Sequence, residues 1–336
     1  MTYKEAFYKG FDAANKNIML PLIKIVTAYT LLIGFVTVLI IPVIVAALVF
    51  GMGIFTSLKD LNINNIGELL STKYLLLAGV AALIVLLYIL LASLLALYIY
   101  GAECGMIARG IKEPGFKFTM KAFFIEGKRF FGPVLWFTSI VWTAASIIIL
   151  LIAASVFPLR SIINTVEGAN HSLSTFITIL SILAGAVIIL FLSTGTFAVT
   201  LYGTAMMVFK GVRPMQASND AVRFIFKRPS AFGFYMLCVV IYFAVNIMIV
   251  GSYVGVAMIP VIGTVLILPY QILVQAVQYY LGILFIAVLF SYYYSAEGLG
   301  EGAISGMSTT SIDISPQVSA PELSLPPQAG LDEGVH

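Results

Sequence analysis

The sequence predicts an all-α membrane protein with six transmembrane helices, and three observations lead to this prediction. Of the 336 residues, 61% are hydrophobic and 10% are charged, whereas a typical soluble domain has roughly 25% charged residues. Six apolar runs each reach the roughly 20 residues that a helix needs to cross a bilayer core. Basic residues concentrate in alternate connections between these runs. The shortage of charge excludes an ordinary soluble enzyme, a disordered chain and a nucleic-acid-binding protein.

The apolar runs are separated by short connections, some of which contain proline. Pro42 is placed to kink the first run, and Pro260 and Pro269 are expected to bracket the turn between the fifth and sixth. We do not split the fourth run at residues 193–195, because no polar loop separates its halves. The runs cover approximately residues 18–50, 74–104, 130–157, 173–208, 231–259 and 266–296.

Lysine and arginine are distributed unevenly about these runs, which predicts their orientation. The N-terminal segment and the second–third and fourth–fifth connections carry 15 of the 18 basic residues. The other three are Lys59, Lys73 and Arg160. Because basic residues favour the cytoplasmic side, both termini are predicted to be cytoplasmic. The first run is too long for the apolar part of a signal peptide, so we expect it to be retained.

The three basic segments resemble one another, which predicts an internal repeat. The stretch 108–112 matches 209–213, and Phe131-Gly132 matches Phe232-Gly233 at the same offset. The N-terminal segment provides a third, weaker copy. Each copy precedes two apolar runs, so the prediction is three parallel tandem units, each an amphipathic elbow helix followed by a transmembrane hairpin. The units span about 1–107, 108–208 and 209–298 within a membrane domain of residues 1–298.

The predicted elbow helices are basic and amphipathic. In the first, Tyr3, Phe7 and Phe11 fall on one helical face and lysines occupy the others. Helices of this kind lie in the interface of an anionic leaflet. They either anchor each hairpin and set its insertion angle, or they bind lipid headgroups or a partner. The candidate headgroup contacts are Lys16, Lys128, Arg129, Lys227 and Arg228.

The last segment, residues 299–336, differs from the rest of the chain in composition. It is rich in proline and serine and contains five acidic residues but no lysine or arginine. Such a segment cannot bury enough apolar surface to fold alone. It is interpreted either as a solvated, disordered cytoplasmic tail or as a docking segment for a protein partner.

The sequence contains no pattern that indicates an enzyme. Histidine occurs only at positions 171 and 336, and no His/Cys/Asp/Glu group has metal-ligand spacing. No GxSxG, P-loop or HExxH motif is present. Cys104 and Cys238 lie in apolar stretches and are expected to pack rather than to pair. Asn170 begins a glycosylation sequon, a pattern that also arises by chance. We therefore predict no catalytic residue, cofactor or metal.

Glu103 is the candidate intramembrane acid, near the cytoplasmic end of the second run. Carboxylates inside a membrane are costly, and they are often functional. Glu103 either pairs with a nearby base, such as Arg109 or a residue of another elbow, or couples to a proton or ion. Lys24, in the first turns of the first run, is expected to extend toward the cytoplasmic interface.

A candidate polar membrane face lies between the fifth and sixth runs. Gln271, Gln275 and Gln278 have the spacing i, i+4, i+7, which places them on one helical face. Asn246 in the fifth run falls within about a turn of Gln278, close enough for a hydrogen bond across the hairpin. These amides either join helices or line a polar path.

Two GxxxG patterns predict close approach of helix backbones. They are Gly101-xxx-Gly105 in the second run and Gly251-xxx-Gly255 in the fifth.

The three-fold arrangement resembles a prokaryotic family of six-helix membrane proteins. That family includes the membrane domain fused to some glycerophosphodiester phosphodiesterases, and stand-alone relatives. The resemblance covers roughly residues 1–298 and rests on the repeated Gly-(Ile/Val)-(Lys/Arg) pattern and on the elbow endings Lys128-Arg129 and Lys227-Arg228. It implies a multi-pass protein of the prokaryotic plasma (inner) membrane. The phosphodiesterase domain has no counterpart, so no catalytic residue is carried over.

Two functions follow from these features. The first is a non-enzymatic scaffold or lipid-handling module at the cytoplasmic leaflet, with anionic membrane lipids as partners and a protein partner for the tail. The alternative is a small-molecule or ion transporter, or a channel, that uses the polar face between the fifth and sixth helices. A water-filled cavity along that face would favour transport, whereas packed and paired amides would favour the scaffold.

Overall fold

The structure is a computed structural model that describes residues 3–41, 44, 72–113, 115–169, 171–259 and 262–299. Within these ranges all regular secondary structure is helical. A π-helical turn, Val36–Ile40, continues the second helix. The α-helices are α1 (Tyr3–Lys16), α2 (Met19–Phe35), α3 (Thr72–Lys112), α4 (Met120–Ala169), α5 (His171–Lys210), α6 (Pro214–Lys227), α7 (Pro229–Ala257) and α8 (Ile262–Ala296).

Six of the described helices contain stretches long and apolar enough to cross a membrane, which confirms the all-α membrane class. The fourth run is continuous in α5, and the hydroxyls of Ser193 and Thr194 donate to carbonyls one turn back in their own helix. The six stretches are Met19–Ile40, Gly79–Lys112, Met120–Ala154, His171–Lys210, Pro229–Val256 and Pro269–Ala296.

The turn between α7 and α8 differs from the prediction. Pro269 lies inside α8, which begins at Ile262, rather than at the edge of the turn. A helix in a membrane tolerates proline because neighbouring groups satisfy the carbonyl that loses its partner. Pro42 and Pro260 lie outside the described residues.

Helices α1 and α6, of 14 residues each, lie where the sequence predicts the first and third elbows. Their amphipathic role at the membrane interface stays a prediction. The buried face of α1 consists of small residues, namely Ala6, Gly10, Ala13 and Ala14. The aromatic side chains expected on that face lie at its edges, and Tyr3 and Phe11 stay about half exposed. Small residues allow α1 to pack closely on α8, where a Cβ at Gly10 would collide with Val288.

The second elbow is not a separate helix, because α4 runs from Met120 into the membrane without a break. Its first turn is capped by Thr119, whose Oγ1 accepts a hydrogen bond of 3.2 Å from the backbone N–H of Ala122. In the third elbow, Pro229 disfavours helical backbone at Arg228 and separates α6 from α7. The corresponding stretch of α4, residues 126–130, contains no proline. The regular three-unit repeat therefore stays a prediction.

The packed core lies at the end of the molecule where the basic residues concentrate, which we call the basic end. Buried side chains come from the last turns of α3, α5 and α8, from α4 as far as Val141, from the first turns of α2 and α7, and from α1 and α6. Toward the opposite end the helices expose apolar side chains, such as Leu86 and Ile182. The packed core and the basic residues therefore share one end of the described structure, and the exposed apolar side chains lie toward the other.

The two GxxxG patterns have different surroundings. An added Cβ at Gly105 would lie 2.8 Å from Cβ of Glu126, and one at Gly101 would lie 3.4 Å from the backbone of Phe130. The first pair therefore allows α3 to approach α4. At Gly251 and Gly255 nothing described lies within 4 Å of an added Cβ. The second pair forms no packing face among the described residues.

Candidate functional site

A pocket of about 290 Å³ opens at the basic end, between the last turn of α5, α6, the start of α7 and the turn after α8. We call it the basic pocket. Four of its residues are cations and two are carboxylates, so its formal charge is positive. Its lining consists of Met206, Lys210, Val212, Asp220, Arg223, Phe224, Lys227, Arg228 and Glu297.

Glycine and proline residues at helix ends shape the walls of this pocket. Helix α5 ends at Lys210 because Gly211 takes a left-handed φ of 67° and its N–H donates to the carbonyl of Met207 at 3.0 Å. Pro214 then starts α6, a position where its missing N–H costs nothing. After α8, Gly298 takes a φ of 64° and turns the chain. These two glycines bring the ends of α5 and α8 together beside α6.

Glu297 neutralises two of the four cations. Its Oε2 lies 2.6 Å from Nζ of Lys210, and its Oε1 lies 3.7 Å from a guanidinium nitrogen of Arg228. The same Arg228 nitrogen donates to the backbone carbonyl of Ala296 at 2.6 Å. Arg223 and Lys227, one helical turn apart on α6, form no ion pair with any described residue. They are the cations left for an anion that enters the pocket.

The structure brings together only two of the five predicted headgroup contacts, Lys227 and Arg228. Lys16 instead pairs with Asp12 at 2.6 Å. Arg129 lies over the ring of Phe130 with 5.1 Å to the centroid, and Lys128 is exposed.

Sequence reasoning missed Arg223 and Lys210 as members of this site. Arg223 precedes Lys227 by four residues, a spacing that places both on one side of a helix and that was available in the sequence. Lys210 could not be assigned to the pocket from the sequence, because its partner there, Glu297, is distant in sequence.

The outer face of α6 combines these cations with exposed apolar side chains. Phe226 is 81% exposed and Met215 is 73% exposed. Cations beside exposed apolar groups on a short helix are typical of a helix that lies in the membrane interface.

Glu103 is almost fully buried, with 1% of its side chain exposed, and it pairs with Lys24 rather than with Arg109. Nζ of Lys24 lies 2.9 Å from its Oε2. Arg109 instead places Nε 3.0 Å from Oε1 of Glu126, a second buried carboxylate that sequence reasoning did not single out. Arg129 lies 4.0 Å from the other oxygen of Glu126.

Two further contacts align with the Lys24–Glu103 pair along α3. Nζ of Lys16 lies 3.5 Å from the carbonyl of Gly110, and Nδ2 of Asn17 lies 3.4 Å from the carbonyl of Met106. The three contacts step inward from the basic end at about one helical turn each. We call this row the polar seam, and it comprises Lys16, Asn17, Lys24, Glu103, Met106 and Gly110.

Several buried polar atoms at the seam have no hydrogen-bond partner among the described residues. They are Oδ1 of Asn17 and both carboxylate oxygens of Glu103, of which Oε2 is held only by the ion pair with Lys24. The hydroxyl of Tyr100, one turn from Glu103 on α3, also has none. Unpartnered polar atoms in a protein interior are unusual and are often satisfied by water.

Among the described residues, no hydrogen bond links the four amides of the predicted polar face between α7 and α8. Nδ2 of Asn246 donates to the carbonyl of Tyr242, in its own helix, at 2.8 Å. Gln271 is exposed, Gln275 and Gln278 are half-buried, and Oε1 of Gln275 is buried without a described partner. The cavity beside these helices is an apolar groove of about 50 Å³ that none of the four amides lines.

Both cysteines, Cys104 and Cys238, are buried free thiols, in keeping with a packing role. Two other predicted features, the sequon at Asn170 and the acidic tail beyond Leu299, lie outside the described residues.

Comparison with models of protein families, with curated proteins and with solved structures gives no significant match. The class of the protein is therefore assigned from its helices alone. Six of the described helices are long and apolar enough to cross a bilayer, which makes the chain a multi-pass integral membrane protein. The resemblance to the membrane domain of glycerophosphodiester phosphodiesterases stays a prediction.

Proposed function

We propose that this chain is a non-enzymatic membrane protein that binds anionic phospholipid headgroups at its cytoplasmic face, in the basic pocket. The observation that carries the proposal is the position of Arg223 and Lys227, two cations that share a pocket of about 290 Å³ and form no ion pair with a described residue. Guanidinium and ammonium groups are the side chains that recognise phosphate.

The dimensions of the pocket suit a headgroup. Ligand pockets range from about 300 to about 1,000 Å³, so a volume of about 290 Å³ holds a phosphate with its polar substituent but not a whole lipid. The acyl chains would stay in the bilayer beside α6 and α7. The exposed Phe226 and Met215 would then lie at the level of the headgroups and upper acyl chains.

The charge of the pocket predicts a preference for anionic over zwitterionic lipid. Four cations and two carboxylates leave a formal excess of two positive charges. Glu297 holds Lys210 and Arg228 in the wall, while Arg223 and Lys227 are free to donate to phosphate oxygens. Assignment to the cytoplasmic leaflet of a prokaryotic plasma membrane is part of the proposal and is supported by the lysine and arginine asymmetry.

The test is lipid retention by the full chain, measured by native mass spectrometry in detergent with added phosphatidylglycerol or phosphatidylcholine. We expect the wild-type chain to retain phosphatidylglycerol preferentially. The double variant Arg223→Gln/Lys227→Gln should lose about tenfold or more in affinity, because it removes charge-assisted hydrogen bonds.

The matched control is Lys9→Gln/Arg213→Gln, which removes two exposed cations that do not line the pocket. It should keep the preference for phosphatidylglycerol. Equal loss in both double variants would show that surface charge in general, and not the basic pocket, attracts the lipid.

The alternative, transport along the polar face between α7 and α8, has weaker support. Asn246 is engaged with its own helix, and the groove beside it is apolar.

A further inference from the structure

Two carboxylates are buried in the packed basic end, and their surroundings differ. Glu126 has a guanidinium near each oxygen, with Arg109 at 3.0 Å and Arg129 at 4.0 Å. Glu103 has one cation, Lys24, at 2.9 Å from Oε2, and its Oε1 has no described partner. A buried carboxylate stays charged at low cost only when its oxygens are paired. The surroundings of Glu126 suit a permanent charge, and those of Glu103 suit a group that takes up a proton.

Ionisable groups lie near Glu103 on α2 and on its own helix, and further polar groups of α5 and α8 lie beside those neighbours. Lys24 approaches from α2, and its Nζ lies 6.0 Å from the ring centroid of Tyr279 on α8. Tyr100 and Cys104 flank Glu103 on α3, where Cys104 is buried and Tyr100 is partly buried. Thr204 on α5 donates its own hydroxyl proton to the carbonyl of Thr200 at 2.7 Å. Lys24 is therefore the one described cation that holds this carboxylate.

The polar seam connects Glu103 with the surface. Lys16 is partly exposed at the outer end, Asn17 is buried in the middle, and Lys24 keeps 24% of its side chain exposed at the inner end. The unpartnered oxygens of Asn17 and Glu103 and the hydroxyl of Tyr100 supply the polar partners that buried water requires. With water beside these atoms, the seam would give a proton a route from the basic face to Glu103.

We infer that Glu103 is a proton-binding group inside the membrane domain, reached from the basic face along the polar seam. A proton that arrives along the seam adds to Oε1, and the carboxylate becomes a neutral carboxylic acid. The ion pair with Lys24 is then lost, and the ammonium is free to extend toward the headgroups. Release of the proton restores the pair. Protonation thus breaks a link between α2 and α3.

Infrared difference spectroscopy on the full chain in lipid membranes tests this inference. As the pH falls from about 8 to about 5, a carbonyl band of a protonated carboxyl group should appear in the wild-type protein. It should be lost in Glu103→Gln and kept in Glu126→Gln, the matched buried carboxylate. Absence of the band in the wild type, or its persistence in Glu103→Gln, would overturn the inference.

Two further variants keep the test decisive if Glu103→Gln does not fold. Lys24→Gln removes the cation, so the band should already be present at the upper end of the pH range. An unchanged pH dependence would overturn the inference. Asn17→Leu interrupts the seam, so the carbonyl band should form more slowly after a pH jump than in the wild-type protein. An unchanged rate would overturn the proposed route. None of these readouts depends on lipid binding in the basic pocket.

Discussion

Lys210 and Glu297 form an ion pair, with Nζ 2.6 Å from Oε2, although 87 residues separate them in the sequence. The pair joins the end of α5 to the turn after α8 and closes one wall of the basic pocket. Because Glu297 also faces Arg228, it competes with any anion that enters the pocket for two of the four cations.

Removing this carboxylate should strengthen anion binding. In Glu297→Gln, Lys210 and Arg228 lose their partner, so affinity for phosphatidylglycerol should rise several-fold in a titration monitored by native mass spectrometry. Because the pair is partly exposed, the free energy of unfolding should change by less than about 1 kcal/mol. Glu113→Gln removes an exposed carboxylate outside the pocket and should leave lipid affinity unchanged. Weaker binding by Glu297→Gln would contradict the assigned site.

The two arginines near Glu126 should differ in their effect on stability. Arg109→Gln leaves a buried carboxylate without its closest cation and should lower the free energy of unfolding by on the order of 3 kcal/mol. Arg129 is more distant and mostly exposed, so Arg129→Gln should cost less than about 1 kcal/mol. Denaturation in increasing SDS measures both. Equal losses would mean that Arg109 is not the partner on which Glu126 depends.

Gly10 should be intolerant of a side chain. A Cβ there would lie 2.5 Å from Cα and 2.7 Å from the backbone N of Val288, so α1 would have to move away from α8. We expect Gly10→Ala to lower the free energy of unfolding by about 1–3 kcal/mol. At Gly195 no described atom lies within 4 Å of an added Cβ, and Gly195→Ala should be neutral or slightly stabilising. A stable Gly10→Ala protein would refute the close approach.

Deletion of residues 300–336 should change the net charge of the protein but not its thermal stability. The deletion removes five acidic side chains and no lysine or arginine, while all of the core that the structure describes comes from earlier residues. We expect an unchanged thermal transition and tighter phosphatidylglycerol binding, with a difference that shrinks at high salt. Replacement of the five acids by amides, at full length, separates charge from chain length. A large drop in thermal stability would show that the tail supports the fold.

Orientation in the membrane can be measured with single cysteines. The native Cys104 and Cys238 are buried and should give little background labelling in intact cells. A membrane-impermeant thiol reagent should label Ser172→Cys from outside and Lys9→Cys only after permeabilisation. The reverse pattern would place the basic end on the outer side and exclude the cytoplasmic leaflet as its partner.

The helices were predictable because apolar length is a property of sequence alone. The ends of the helices were less predictable. The predicted second run stops at residue 104, whereas α3 continues to Lys112. Its last turns carry Arg109 and Lys112, which interact favourably with the C-terminal end of a helix. A charged residue therefore marks the edge of the apolar run but not the end of the helix.

The ion-pair partner of Glu103 was not predicted from the sequence. Arg109 was considered because it is near in sequence, but it lies six residues away, a separation that does not place two side chains on one helical face. Lys24 was expected to extend outward, and instead it pairs across to α3. That choice depends on how α2 is rotated and how deeply it sits against α3.

By itself, the sequence determined the membrane class, the six apolar helices and the concentration of positive charge at one end. It did so because hydrophobic length and charge distribution are read one segment at a time. Only the tertiary structure decided which charges meet, as at Lys24–Glu103 and Lys210–Glu297, and which glycines face a neighbour. In lipid, an apolar helix surface is equally compatible with a bilayer or with another helix, so composition leaves the rotation and depth of each helix open.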